Sequence, residues 1–108
     1  MTHIRTTTTT DEALRELGDR LQATRLQQNR TAEAIATAAG VSRATVVRAE
    51  SGHNTSLESL VRILRALGRL DALDAFLPEP LVSPLELARS QGRRRQRARP
   101  APPEGPPE

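Results

Sequence analysis

The sequence predicts an all-α domain of five helices followed by a largely disordered Pro/Arg-rich tail. Between positions 11 and 77, aliphatic residues recur at spacings of three and four, as on one face of a helix. Glycines at positions 40, 52 and 68 divide this pattern into short segments. All eight prolines lie at or beyond Pro78, which places the end of the folded domain at about residue 77.

The composition restricts what this 108-residue chain can be. Its length allows one small domain with an aliphatic core, because Phe76 is the only aromatic residue. Cysteine is absent, which excludes disulfides and thiolate chemistry. We see no catalytic carboxylate pair, phosphate loop or metal-ligand cluster, and we expect neither an enzyme nor a cofactor. The chain has no apolar run long enough for a membrane span and no signal segment, so we expect a soluble, cytoplasmic protein.

The charge is unevenly distributed, although the formal net charge is only +3. All sixteen basic residues are arginine. Residues 78–108 hold six arginines against four glutamates, whereas residues 1–77 hold ten arginines against nine acidic residues. The folded domain is therefore nearly neutral, and any basic face on it must be offset by an acidic face elsewhere.

The first 28 residues are predicted to form an arm and a long helix. Residues 1–10 contain a threonine run without an apolar period, which predicts a flexible arm. Thr9 and Glu12 have the spacing of a capping box, which starts a helix over residues 11–28. Its buried stripe is predicted to be Leu14, Leu17, Gly18, Leu21 and Leu26. Its water-facing side is predicted to be Arg15, Glu16, Asp19, Arg20 and Gln22.

The centre of the chain reads TAEAIATAAGVSRATVVRAESG, which predicts two short helices joined by a tight turn. Thr31 is placed to cap the first helix, whose alanines favour helix formation and close packing. Gly40 ends this helix, because glycine adopts a positive φ at little cost, and Val41 should fill the elbow. Ser42 then caps the second helix, which ends before Gly52.

The second of these helices is predicted to have two different faces. Val46 and Ala49 are three residues apart and should pack inward. The opposite face is predicted to expose Arg43, Ala44, Val47 and Arg48. Guanidinium groups on such a helix match the O6 and N7 acceptors of guanine in the major groove. Exposed arginines are also common on surfaces that bind nothing, but together with the glycine turn they favour DNA reading.

Two further helices are predicted after this motif. Thr55 and Glu58 have the spacing of a second capping box, and the helix that they start should end at Gly68. Its apolar stripe is predicted to be Leu57, Leu60, Val61, Ile63, Leu64 and Leu67. A last amphipathic segment contains Leu70, Leu73, Phe76 and Leu77. These four side chains are predicted either to form a homodimer interface or to close the monomer core.

From about residue 14 to residue 77 the chain resembles the Cro/phage-repressor (XRE-like) helix-turn-helix family. The residues that carry the resemblance are Thr31, Ala39, Gly40, Val41, Ser42, Val46, Glu50, Ser51 and Gly52, with the leucine-rich helix after them. The resemblance implies a five-helix Cro/repressor-like DNA-binding domain. It implies base-reading positions at Arg43, Ala44, Val47 and Arg48. It implies phosphate-contacting positions at Thr31, Ser42, Thr45, Asn54 and Thr55.

Two positions depart from the family pattern. Where Ala32 stands the family often has a long polar residue, and where Ala34 stands it often has a buried glutamate. That glutamate usually pairs with the arginine matched here by Arg25, so we expect Glu50 to be the partner of Arg25 instead. The polar residues 27–30, just before the motif, are further candidates for phosphate contact.

Residues 78–108 are predicted to be a largely disordered tail. A Ser-Pro start favours one short helix over residues 84–91. The arginines that follow are candidates for contact with nucleic acid or a partner protein: Arg93, Arg94, Arg95, Arg97 and Arg99. A solvated charge run without a partner is the alternative.

Residues 76–99 are similar to the ends of HipB-type antitoxins, through Leu-Pro-x-Pro, Ser-Pro-Leu-Glu and the arginine run. Such antitoxins bind HipA-type kinase toxins and repress their own operon as dimers. The resemblance implies a bacterial protein that is cytoplasmic and associates with the nucleoid when bound to its operator.

The sequence thus predicts a dimeric repressor specific for a double-stranded DNA operator, and the tail resemblance adds the role of antitoxin and autoregulator beside a HipA-type kinase toxin. The alternatives are an XRE-like regulator without a toxin partner and a protein-binding antitoxin with weak DNA binding. RNA binding or non-specific binding through the tail is disfavoured, because aromatic residues for base stacking are lacking.

Overall fold

The computed structural model describes residues 2–81 together with residues 85, 88 and 89. The described residues form helices and no strand: α1 (Thr10–Gln27), α2 (Ala32–Ala39), α3 (Arg43–Glu50), α4 (Leu57–Ala66) and α5 (Ala72–Phe76). The prediction of an all-α fold with five helices is confirmed.

The chain divides into two units, Met1–Leu77 and Pro78–Glu108, and all five helices belong to the first unit. In the second unit, residues 85, 88 and 89 have helical backbone. The rest of the helix predicted over residues 84–91 lies outside the described residues, as do the five candidate tail arginines.

Side chains cap the starts of the first four helices, because the first amides of a helix have no partner within it. Thr9 and Glu12 form the predicted capping box at α1. At α4 the predicted box of Thr55 and Glu58 is wrong. The cap is Ser56, whose hydroxyl accepts a hydrogen bond from the Ser59 amide at 3.0 Å, and α4 therefore begins one residue later than predicted.

The core lies among the first four helices. Ile35 of α2, Val46 of α3 and Ile63 of α4 are its most deeply buried large side chains. The other core residues are Leu21, Ala36, Ala39, Ala49 and Leu67. The predicted inward face of α3 is confirmed. On α4, the prediction was wrong for Leu57, which is 74% exposed because it occupies the first turn of the helix, before the contact with the core begins.

Gly18 allows α1 to pack directly against the C-terminal end of α3. A Cβ atom at this position would lie 2.6 Å from the carbonyl oxygen of Glu50 and 2.7 Å from that of Ala49. Both atoms are backbone, so a side chain could be fitted only by moving one helix away from the other. The position of α3 relative to α1 therefore depends on the absence of a side chain at residue 18.

The N-terminal residues lie along α1 and account for a wrong prediction on its outer face. Glu16, predicted to face water, is buried, whereas Leu17 and Leu26, predicted to be buried, are exposed. The Glu16 carboxylate accepts hydrogen bonds from the Thr2 amide and from Arg20 Nε, both at 2.9 Å. Arg20 also donates to the Thr2 carbonyl at 2.8 Å. The hydrogen bond from Thr2, followed by that from Arg20, lowers the pKa of Glu16 below its ordinary value.

The short helix α5 leaves its largest side chains uncovered. Phe76 and Leu77 are each 76% exposed in the single chain, whereas Leu70 and Leu73 are half-buried. The alternative in which all four residues close the monomer core is therefore wrong for Phe76 and Leu77.

Candidate nucleic-acid interface

The turn between α2 and α3 has the geometry that the sequence predicts. The Thr31 hydroxyl caps α2 by accepting from the Ala34 amide at 3.0 Å. At the other end Gly40 has φ +73°, and the next amide, that of Val41, donates back to the Ala36 carbonyl at 3.0 Å. This left-handed end reverses the chain within two residues, so α3 begins at a fixed angle to α2.

Helix α3 is held at its start by Ser42. The Ser42 hydroxyl accepts from the Thr45 amide at 3.1 Å and lies 2.9 Å from the Thr45 hydroxyl. The first turn contains Arg43 and no acidic residue, so the positive end of the helix dipole is not offset by its own side chains. This end of α3 is therefore suited to approach a polyanion.

Helix α3 is held at its other end by Arg25 and Glu50. Arg25 Nε lies 2.7 Å from one Glu50 carboxylate oxygen, and its NH2 group lies 3.0 Å from the other. The same guanidinium donates to the Arg30 carbonyl at 2.9 Å. Glu50 thus takes the place of the missing family glutamate, as expected, and its carboxylate raises the pKa of Arg25.

The exposed face of α3 is apolar at its centre and basic at its sides. Residues along an α-helix are separated by about 100°. With Val46 and Ala49 turned into the core, Ala44 lies opposite them and Val47 lies beside it. Arg43 and Arg48 flank this pair, and all four predicted base-reading side chains are exposed.

The two arginines of this face have different surroundings. Arg48 donates from its NH2 group to the Asn54 carbonyl at 3.3 Å, which directs its guanidinium toward the loop after α3. Among the described residues Arg43 has no hydrogen bond or ion pair of its side chain. Arg43 is therefore the arginine of α3 that is free to enter a groove.

A polar hollow lies beside Arg48, between α3 and the start of α4. Its lining residues are Thr45, Arg48, Asn54, Thr55, Ser56 and Ser59. Three of the predicted phosphate-contacting residues lie here, and the other two, Thr31 and Ser42, cap α2 and α3. Ser56 and Ser59, which also line the hollow, were not among the residues predicted from the sequence. The spacing S-x-x-S before the leucine-rich helix is the pattern that indicates them.

Two of the polar side chains before the motif form hydrogen bonds within the fold. Gln28 Nε2 donates to the Leu67 carbonyl at 2.8 Å, and Arg30 NH1 donates to the Ala66 carbonyl at 2.7 Å. They satisfy carbonyls at the C-terminal end of α4, which a helix leaves without partners. These side chains were candidates for phosphate contact from the sequence, whereas in the structure their hydrogen bonds join the end of α1 to the end of α4.

The described part of the chain lacks the features of a metal site and of a membrane-spanning helix. Within it, no group of three or more His, Cys, Asp or Glu residues is arranged to hold a metal ion. None of its helices combines the length and the apolar character that crossing a bilayer requires.

A short helix, a left-handed glycine turn and a capped second helix with an exposed arginine face define a DNA-binding protein of the helix-turn-helix class. Residues 21–73 match the family described as Helix-turn-helix (HTH_3), and this part of the chain is a domain of that XRE/Cro-like family. The family is one of DNA-binding regulatory domains and not of enzymes. The chain is thus a transcriptional regulator that binds double-stranded DNA. A comparison with curated proteins found no match.

Proposed function

We propose that this regulator is a sequence-specific repressor that blocks transcription by occupying an operator. The observation that carries the proposal is the exposed α3 face, on which Arg43, Ala44, Val47 and Arg48 lie together outside the core. A helix of this kind fits the major groove, with side chains near its N-terminus facing base edges. The polar hollow beside Arg48 supplies hydroxyls and amides of the kind that bind phosphate and fix the register on the duplex.

We propose that the repressor acts as a homodimer joined through α5. Phe76 and Leu77 support this arrangement, because two neighbouring large apolar side chains in the single chain are each 76% exposed. A two-fold dimer would present two copies of α3 to half-sites separated by about one helical turn, roughly 34 Å. It would also double the number of phosphate contacts without enlarging the domain.

We propose that the tail holds a protein partner, and that the partner is a HipA-type kinase toxin for which this chain is the antitoxin and autoregulator. The support is the sequence similarity of residues 76–99 to HipB-type ends and the six arginines of residues 78–108. A basic segment of this kind suits an acidic surface on a partner or the phosphates of DNA. A regulator of this kind acts in the bacterial cytoplasm and joins the nucleoid when it occupies its operator.

The test of DNA reading is selection of bound duplexes from a random library by the full chain, followed by affinity measurements. The proposal expects enrichment of a two-fold symmetric sequence that is bound about 10³-fold or more tightly than random DNA. Enrichment of no sequence would contradict it. Symmetry in the enriched site is the separate test of the dimer.

The test of the tail is deletion of residues 78–108. Retained operator affinity with loss of the kinase from a pull-down supports a toxin-binding tail. Loss of operator affinity would instead assign the arginines of the tail to DNA. An XRE-like regulator without a toxin is the outcome if the full chain binds its operator and no kinase is encoded in its operon.

A further inference from the structure

The centre of the exposed α3 face has no hydrogen-bonding side chain, which restricts what it can recognise. Ala44 points directly away from the core and Val47, 39% exposed, is its neighbour one turn along. Neither side chain can bond to the donors and acceptors that line a major groove. The apolar feature that a base edge offers there is the C5-methyl group of thymine.

Arg43 adds a preference for a second base, guanine, to the same surface. Its guanidinium is exposed and unpaired within the described part of the chain, and its fork matches the O6 and N7 acceptors of guanine. Residues four apart on a helix have Cβ atoms about 5–6 Å apart. Since bases rise about 3.4 Å along a strand, Arg43 and Val47 would reach base pairs within about two steps of each other.

The guanidinium of Arg48 lies apart from this group of candidate base contacts. Its NH2 group lies 3.3 Å from the Asn54 carbonyl, beside the polar hollow that Thr45, Thr55 and Ser59 line. In this position the guanidinium lies beside the hydroxyl groups that are candidates for phosphate contact. Arg48 is therefore a candidate for phosphate contact, and Arg43 is the candidate for base reading.

We infer that each operator half-site contains a thymine whose methyl group packs on Val47 and Ala44, with a guanine read by Arg43 within about two base pairs of it. This inference rests on the proposed reading of DNA by α3 and adds the identity of the bases. It makes Val47 a specificity-determining residue and assigns Arg48 to phosphate.

The experiment replaces each thymine of the selected duplex in turn by deoxyuridine, which keeps the base pair and removes only the methyl group. At the thymine that packs on Val47, affinity should fall about fourfold, the factor that corresponds to about 0.8 kcal/mol for one buried carbon group. Substitution with 5-bromouracil, which restores bulk at C5, should restore the affinity. Thymines elsewhere in the duplex should be insensitive.

The residue is assigned by repeating the measurement with Val47→Ala. The ratio of thymine to uracil affinity should fall clearly below four, because alanine keeps only the Cβ atom of the contact, while Leu26→Ala, which shortens an exposed side chain on α1, should keep the fourfold ratio. A ratio is independent of the amount of folded protein, so a loss of stability in either variant does not affect the result.

Three outcomes would overturn the inference. If a sequence is selected but uracil is bound as tightly as thymine at every position, α3 reads no methyl group, and the proposed function stands without this inference. If uracil weakens binding equally in wild type and Val47→Ala, another residue contacts the methyl group. If selection enriches no sequence, the proposed function fails and the inference fails with it.

Discussion

The guanidinium of Arg25 and the carboxylate of Glu50 form a two-point ion pair between α1 and the last residue of α3, with N–O distances of 2.7 and 3.0 Å. Their side chains are only 12% and 9% exposed. A charge with so little access to water is stable only while its partner is present. The pair therefore fixes the C-terminal end of α3, which lies away from Arg43 at the start of the helix.

Removal of one member of this pair should destabilise the domain strongly. We expect Arg25→Ala to lower the free energy of unfolding by about 3 kcal/mol, because it leaves the Glu50 carboxylate buried without a counterion. Arg62→Ala is the matched control, since Arg62 pairs with Glu58 at the surface and should contribute about 0.5 kcal/mol or less. Urea denaturation followed by circular dichroism measures both, and equal losses would contradict a structural role for the Arg25 pair.

A side chain at residue 18 should separate α1 from α3. We expect Gly18→Ala to cost about 2 kcal/mol or more, because its Cβ would overlap the carbonyl oxygens of Ala49 and Glu50. This loss should exceed the gain of about 1 kcal/mol that alanine brings to a helix.

Gly68→Ala is the control for this substitution. Nothing lies within 4 Å of a Cβ there, so only the cost of φ +72°, about 1 kcal/mol, is expected. An unchanged or raised melting temperature for Gly18→Ala would show that the two helices do not make this close contact.

The contact between the N-terminal residues and Glu16 should depend on pH. Because hydrogen bonds from Thr2 and then Arg20 lower the pKa of Glu16, protonation is harder in the folded state than in the unfolded state. The stabilisation is therefore complete above the ordinary value of 4.5 and is lost as pH falls through the lowered pKa. We expect the difference in melting temperature between wild type and Glu16→Gln to shrink from pH 7 to pH 3.

Glu33→Gln is the control for this titration, because Glu33 is an exposed carboxylate on α2. Its difference from wild type should vary less over the same pH range. A constant difference between wild type and Glu16→Gln at all pH values would mean that Thr2 and Arg20 do not bind the charged carboxylate.

The exposed end of α5 should control the oligomeric state. We expect the double variant Phe76→Ser/Leu77→Ser to raise the dimer dissociation constant at least about 100-fold, since burial of two large apolar side chains contributes about 3 kcal/mol or more. Its fold should be unchanged, because both residues are already exposed in the single chain. Sedimentation equilibrium measures the constant, with Leu57→Ser as a control of similar exposure on α4. The same dissociation constant in both variants would place the dimer interface elsewhere.

The helix-turn-helix could be predicted from the sequence because its determinants are local. Thr31 and Ser42 cap helices through amides three residues away, and Gly40 sets the turn through its own φ. Each interaction is contained in a short window of sequence. For the same reason the inward face of α3 followed from the spacing of Val46 and Ala49 alone.

The sequence failed to predict the contacts of residues whose environment is set by distant segments of the chain. Glu16 is buried because Thr2, fourteen residues earlier, returns to it. Gln28 and Arg30 donate hydrogen bonds to carbonyls that lie 39 and 36 residues later in the chain. Periodicity within a helix contains no information on such partners. The contact of Arg48 with Asn54 depends on the path of a loop, which the pattern of α3 could not indicate.

Substitution of the two α3 arginines should have different effects on DNA binding. We expect Arg43→Ala to lose about 1–3 kcal/mol on the selected duplex and to lose the preference for guanine at one position, because it removes a bidentate base contact. Arg48→Ala should weaken binding to all sequences alike and reduce the slope of log K against log salt concentration by about one, because it removes a phosphate contact. Arg65→Ala, which removes the same charge from the exposed surface of α4, controls for net charge. Competition assays at several salt concentrations separate the two roles, and a loss of base preference in Arg48→Ala would return that residue to the base-reading group.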